Sequence, residues 1–226
     1  MEKNKNTEIR RESSVGSAGL HIRQREDGEQ SRTIAGYAVL FNEPSEVLYE
    51  TETEQVREII APEAVDDALL ERSDIKFTMF HDNSLILARS NKGEGTLRCT
   101  RDEKGVAFEF DAPNTVDGDK AIELVSRGDI SGCSFAFVTR YWDKDCVEVR
   151  KEGVKDGKNQ TVCVVRAISS LRDMTITPDP AYTATSVAVR ELGEAIVGFT
   201  DKPEDNEKMR GQIREMRSAA SRKMYH

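Results

Sequence analysis

The chain has 226 residues, enough for one domain of good size or one domain with tails. Its hydrophobic content of 37% is low and its charged content of 33% is high, which implies a compact core flanked by solvated ends. A net charge of −8 argues against binding a nucleic-acid backbone, and no apolar run approaches the ~20 residues that span a bilayer.

Residues 1–31 are polar, charged and Ser/Gly-containing, and read as a flexible, disordered tail without the apolar stretch of a signal peptide. Thr33–Phe41 reads as a strand, ended by Asn42-Glu43-Pro44. Val56–Ile60 is a second extended segment, and Pro62-Glu63 after it marks the start of a short helix running to Leu70. Ile75–Phe80 is an apolar strand closed by His81. Thr96–Thr100 and Val106–Phe110 alternate around Asp102-Glu103-Lys104-Gly105, a hairpin signal.

Thr115–Arg127 reads as an amphipathic helix stopped by Gly128. Ser134 lies in the apolar run Gly128–Phe137, which reads as a strand continuing through Val138 to Tyr141. Cys146–Val149 and Val162–Val165 are strands separated by a Gly/Lys-rich loop, Glu152–Asn159, and Leu171–Thr177 is stopped by Pro178-Asp179-Pro180. Thr185–Val189 reads as the last strand. Many short strands with two short helices predict an α+β or mostly β, barrel-like domain over 32–192. The stretch 193–226 is a polar linker and a basic, weakly amphipathic helix with six Lys/Arg against Glu215 over 208–226.

The four cysteines, Cys99, Cys133, Cys146 and Cys163, are widely spaced, which suits reduced cytosolic side chains. Neither their spacing nor a histidine cluster suits a zinc site, and no metal or cofactor is expected. Of the three histidines, His21 and His226 lie in polar terminal segments, so histidine chemistry would centre on His81. Ser134 is the matching hydroxyl, since a hydroxyl needs an adjacent base to become a nucleophile. Taken alone, a histidine after an apolar strand is more often structural, and so is a serine in a Gly-x-Ser strand. Cys133 is a rival nucleophile, but strand alternation puts it on the opposite face from Ser134 and its apolar neighbours suit the core. Ser131 stays open as a further candidate.

The ordered set Gly36–Asn42, Arg57–Val65, His81-Asp82, Leu87–Ser90, Gly95–Leu97, Gly128–Phe137 and Pro180–Tyr182 resembles the prohead (capsid maturation) proteases of HK97-type tailed phages. That resemblance covers about residues 33–190 and implies the fold of the herpesvirus assemblins, a barrel of short strands. It implies a serine endopeptidase with His81, Ser134 and an acid, in that chain order. The acid falls on Asp173, where the family more often has glutamate, with Asp179 next in line. An oxyanion hole is required as well, for which Arg89, Arg166 and Arg172 or backbone amides are candidates.

The implied substrates are the major capsid protein or a scaffold protein, inside the procapsid in the host cytoplasm, with self-cleavage and self-association. A non-enzymatic scaffold protein of the same fold is the rival reading, and a full set of triad positions favours the enzyme. An unrelated cytosolic serine hydrolase is disfavoured, because residues 132–136 read Gly-Cys-Ser-Phe-Ala and not Gly-x-Ser-x-Gly.

Overall fold

The computed structural model describes residues 7–13, 19–24 and 30–178. Its strands, in chain order, are β1 (Thr7–Ser13), β2 (His21–Gln24), β3 (Gln30–Leu40), β4 (Tyr49–Glu50), β5 (Glu54–Ile60), β6 (Asp74–Met79) and β7 (Asp82–Asn91). They continue as β8 (Glu94–Gly95), β9 (Arg98–Arg101), β10 (Gly105–Asp111), β11 (Gly132–Thr139), β12 (Val147–Lys155), β13 (Lys158–Val165) and β14 (Ser170–Thr177). Two α-helices, α1 (Asp67–Arg72) and α2 (Val116–Ser126), complete the described fold.

The fold is mostly β with few short helices, but the expected barrel is not what the strands build. They are divided among three sheets, with strand orders β1-β11-β14-β6-β7-β8, β2-β3-β10-β9 and β12-β13-β5-β4. Among the described residues none of the three closes on itself. Two parallel pairings, β14 with β6 and β13 with β5, join strands far apart in the chain.

Several local readings correspond closely to the structure. Asp102 organises the β9–β10 turn, its carboxylate accepting the Lys104 and Gly105 amides at 2.8 and 2.9 Å. Gly105 is required where β10 begins, because a β-carbon there would lie 1.9 Å from the Val39 carbonyl oxygen. Thr115 caps α2 by accepting from the Gly118 amide at 3.2 Å, and Gly128 follows the helix at φ +77°.

Other readings need correction. The helix expected from Pro62 is split into a 3-10 turn, Pro62–Ala64, and α1, because Asp66 caps a fresh start through the Leu69 amide at 2.7 Å. Most of Glu152–Asn159, expected as a loop, is strand: β12 and β13 run on to a two-residue turn at Asp156-Gly157. The tail expected over 1–31 contains β1 and β2. β1 is an edge strand of the first sheet and β2 an edge strand of the second. Residues 193–226, Thr185–Val189 and Asp179 lie outside the described residues.

The first two sheets share a core in which Phe77 of β6 packs on Phe108 and Phe110 of β10, with ring centroids 4.6 and 4.5 Å apart. All three rings are buried. Burying such a side chain is worth roughly 1.5–3 kcal/mol, so this cluster fixes β6 firmly against the second sheet.

Candidate active site

β11, β14 and β6 lie side by side in the first sheet, so their pairing closes the long chain separations between the candidate residues. Ser134 lies opposite Thr175, Ala136 opposite Asp173, and Thr175 opposite Thr78. Directly paired residues share a face, so Ser134, Asp173, Thr175 and Thr78 line one side of the sheet. Cys133, Phe135, Phe137, Met174 and Ile176 enter the hydrophobic core.

A bulge in β14 contributes to this arrangement. The register passes from Asp173 opposite Ala136 directly to Leu171 opposite Phe137, leaving Arg172 as the extra residue. Leu171 and Met174 therefore both reach the core while Arg172 stays exposed and Asp173 turns to the other face.

His81 does not sit on a strand. With Phe80 it forms the two-residue loop between β6 and β7, whose flanking residues Met79 and Asp82 pair. Both loop residues are left-handed, at φ +58° and +57°. Non-glycine residues resist that conformation by on the order of 1–2 kcal/mol each. Two hydrogen bonds to β14 hold the loop there: the Phe80 amide donates to the Ile176 carbonyl at 3.1 Å, and the His81 amide donates to Thr175 Oγ1 at 3.0 Å. The Thr175 hydroxyl in turn donates to the Thr78 carbonyl at 3.0 Å, tying β14 to β6 beneath the ring.

The imidazole then spans two partners. His81 Nε2 lies 2.8 Å from Ser134 Oγ, and Nδ1 lies 2.5 Å from Asp173 Oδ2. The second carboxylate oxygen, Oδ1, accepts from the Thr78 hydroxyl at 3.1 Å. A carboxylate accepts hydrogen bonds, so Nδ1 carries the ring proton and Nε2 is left to accept the Ser134 hydroxyl proton. The row is well enclosed: Ser134 is 0% exposed, and the side chains of His81 and Asp173 are only 14% and 12% exposed. Enclosure strengthens each of these interactions relative to water.

A model of the caudovirus prohead serine protease family matches residues 19–196 of this chain. The chain belongs to that family. No curated protein sequence and no solved structure matches it. Membership makes it a phage serine protease of capsid maturation, and implies action on capsid or scaffold proteins within the procapsid in the host cytoplasm.

The remaining candidates of this prohead protease are disposed differently. The Cys133 thiol faces the core, where burial raises its pKa and keeps it protonated. Ser131 is exposed and precedes β11. Arg89 makes a two-pronged ion pair with Asp74, at 2.7 and 2.6 Å, which holds the Asp74 carboxyl below its ordinary range. Arg166 is engaged by Glu148 and Glu63, and Arg172 projects from the bulge into solvent. None of the three arginines is drawn into the Ser134–His81–Asp173 row. Sequence reasoning missed Thr78 and Thr175. The two-residue period was the available signal, since Thr175 shares the face of Asp173 two positions away.

Proposed function

We propose that this family member is an active endopeptidase in which Ser134 is the nucleophile, His81 the general base and acid, and Asp173 the group that orients and stabilises the imidazolium. The observation that carries the reading is the continuous row from Ser134 Oγ through the His81 ring to Asp173, with both ring nitrogens engaged. As Oγ attacks a peptide carbonyl carbon, its proton passes to His81 Nε2. Collapse of the tetrahedral intermediate breaks the C–N bond, and the proton on Nε2 goes to the leaving amine. Water then repeats the sequence on the acyl-enzyme, returning the proton to Ser134. The substrates are extensions of the major capsid protein or scaffold, and terminal segments of the protease itself.

Co-expression with the major capsid protein, followed by mass measurement of both proteins' termini, tests this. Ser134→Ala and His81→Ala are each expected to abolish cleavage, by roughly 10⁴–10⁶-fold, because members of such a unit do not contribute additively. Asp173→Asn should cost up to about 10⁴-fold, and Cys133→Ala should remain active. Wild-type protein should shorten its own termini while Ser134→Ala keeps them. An inactive Cys133→Ala beside an active Ser134→Ala would overturn the assignment. Absence of cleavage by the wild type would leave the non-enzymatic scaffold reading in its place.

A further inference from the structure

Ser134 is completely enclosed, so no peptide carbonyl can reach its Oγ in this arrangement. One flank of its strand is occupied by β14, which pairs with β11 from Gly132 to Val138 and supplies Leu171, Met174 and Ile176 to the core. The other flank is covered by β1, which pairs antiparallel with β11 from Cys133 to Thr139 and sets Glu12 opposite Ser134. Resting on the serine mechanism proposed above, we infer that this outer edge of β11 is the docking edge for the extended substrate chain. The protease's own β1 occupies that edge in the structure, and must leave before cleavage can occur.

Three observations converge on this edge. A peptide added to a sheet edge gains main-chain hydrogen bonds without needing a particular sequence, and neighbouring strands lie ~4.8 Å apart. A peptide seated where β1 runs would therefore bring its carbonyls within reach of a serine on β11. Next, the family match begins at residue 19, so β11 belongs to the matched domain and the strand that covers its edge does not. Lastly, β1 reads Thr-Glu-Ile-Arg-Arg-Glu-Ser, with Ile9 its one apolar residue. A sequence so poor in apolar residues offers little surface to bury, and the backbone pairing of β1 with β11 is of a kind that an incoming peptide can replace almost bond for bond. β1 also contains no proline or glycine to interrupt that pairing. The occupant to be exchanged for β1 is accordingly an extended, unfolded segment, such as a capsid-protein extension, and not a folded surface.

The test keeps the full chain and weakens β1 with Arg10→Pro/Arg11→Pro. Adjacent prolines remove an amide donor in either pairing register. The readouts are the rate at which a fluorophosphonate labels Ser134 and the rate of capsid-protein cleavage. Both are expected to rise about tenfold over wild type. A folded variant that labels and cleaves at the wild-type rate overturns the inference. Absence of labelling in both proteins would instead overturn the serine mechanism, so the two failures are distinguishable.

If the proline variant does not fold, a lock decides. Glu8 and Val138 are direct cross-strand partners, four residues along β11 from Ser134, and Glu8→Cys/Val138→Cys can join them by a disulfide. Scored per cross-linked molecule by mass, cleavage should fall at least tenfold and recover on reduction. Cross-linked protein that cleaves at the wild-type rate overturns the inference.

Discussion

Two hairpin turns of this protein share one geometry and reach it by opposite means. Asp156-Gly157 joins β12 to β13 with φ of +54° and +77°, and Phe80-His81 joins β6 to β7 with +58° and +57°. Two-residue loops of this kind require positive φ at both positions, which Asp-Gly adopts readily and Phe-His does not. The first turn is exposed and specified by its own residues. The second is held from outside, by the Ile176 carbonyl, the Thr175 hydroxyl and the contacts of the His81 ring. Local conformational cost of this sort persists only where the surroundings over-determine it, and here the surroundings are the candidate catalytic row.

The largest effect that would break the contrast comes from removing the outside support. Thr175→Val deletes the acceptor for the His81 amide, and Thr78→Val deletes the donor to Asp173 Oδ1. Each is expected to lower kcat by roughly 10–100-fold, the equivalent of about 1.5–3 kcal/mol for hydrogen bonds of this kind in a buried setting. KM should change little, and the serine substitution should restore much of kcat at either position. Steady-state kinetics of the Val and Ser pairs is the measurement; equal kcat for Val and wild type would remove the hydroxyls from any positioning role.

A smaller effect would sharpen the contrast. Phe80 is 41% exposed, so replacing it sacrifices little packing. Phe80→Asn, which tolerates the left-handed region, should stabilise the protein by about 1 kcal/mol, or roughly 2–4 °C in Tm. Gly157→Ala should destabilise by a similar ~1 kcal/mol and leave cleavage unchanged, because that turn serves only its own hairpin. Thermal unfolding of both variants tests the pair; a Phe80→Asn protein no more stable than wild type would mean that no cost resides in the Phe80 backbone.

The smallest effect concerns acid. On the β12–β13 hairpin, hydrogen bonds first from Arg150 and then from Arg166 lower the Glu148 carboxyl from 4.5 to about 2. A lowered folded-state pKa means that the contribution is fully present above about pH 4.5 and is lost as pH falls toward about 2. The Glu148 side chain is 39% exposed, so solvent screening keeps the contribution small. Glu148→Gln should flatten the loss of Tm between those pH values while moving Tm at pH 7 by about 1 °C or less. An acid slope identical to wild type would assign the sensitivity to other carboxylates.

Legibility follows the same division as the turns. The β9–β10 hairpin, the capped α2 and the apolar runs of β6, β11 and β14 are written locally, in turn residues, caps and alternation. The Asp156-Gly157 signal was just as local, but the surrounding lysines and glycines obscured it and the segment read as a loop. β1 could not be read at all, since a polar strand with one apolar residue has no periodic signal and exists only through its pairing with β11. Division into three sheets, in place of a barrel, depends on the parallel pairings β14–β6 and β13–β5, which join residues roughly a hundred positions apart.

By itself, the sequence marked one histidine outside the polar terminal segments and a serine on an apolar strand as side chains that could do chemistry, while the aspartate came only from the family resemblance. Residue type and the two-residue period are properties of a short window, so they survive without a fold. Only the tertiary structure decided that β11, β14 and β6 are neighbours, that a bulge at Arg172 turns Asp173 toward His81, and that Thr78 and Thr175 brace the row. It also decided that the serine strand is closed at its outer edge by the chain's own β1. Register, bulges and edge occupancy are set by pairings between distant segments, and no local window of sequence contains both partners.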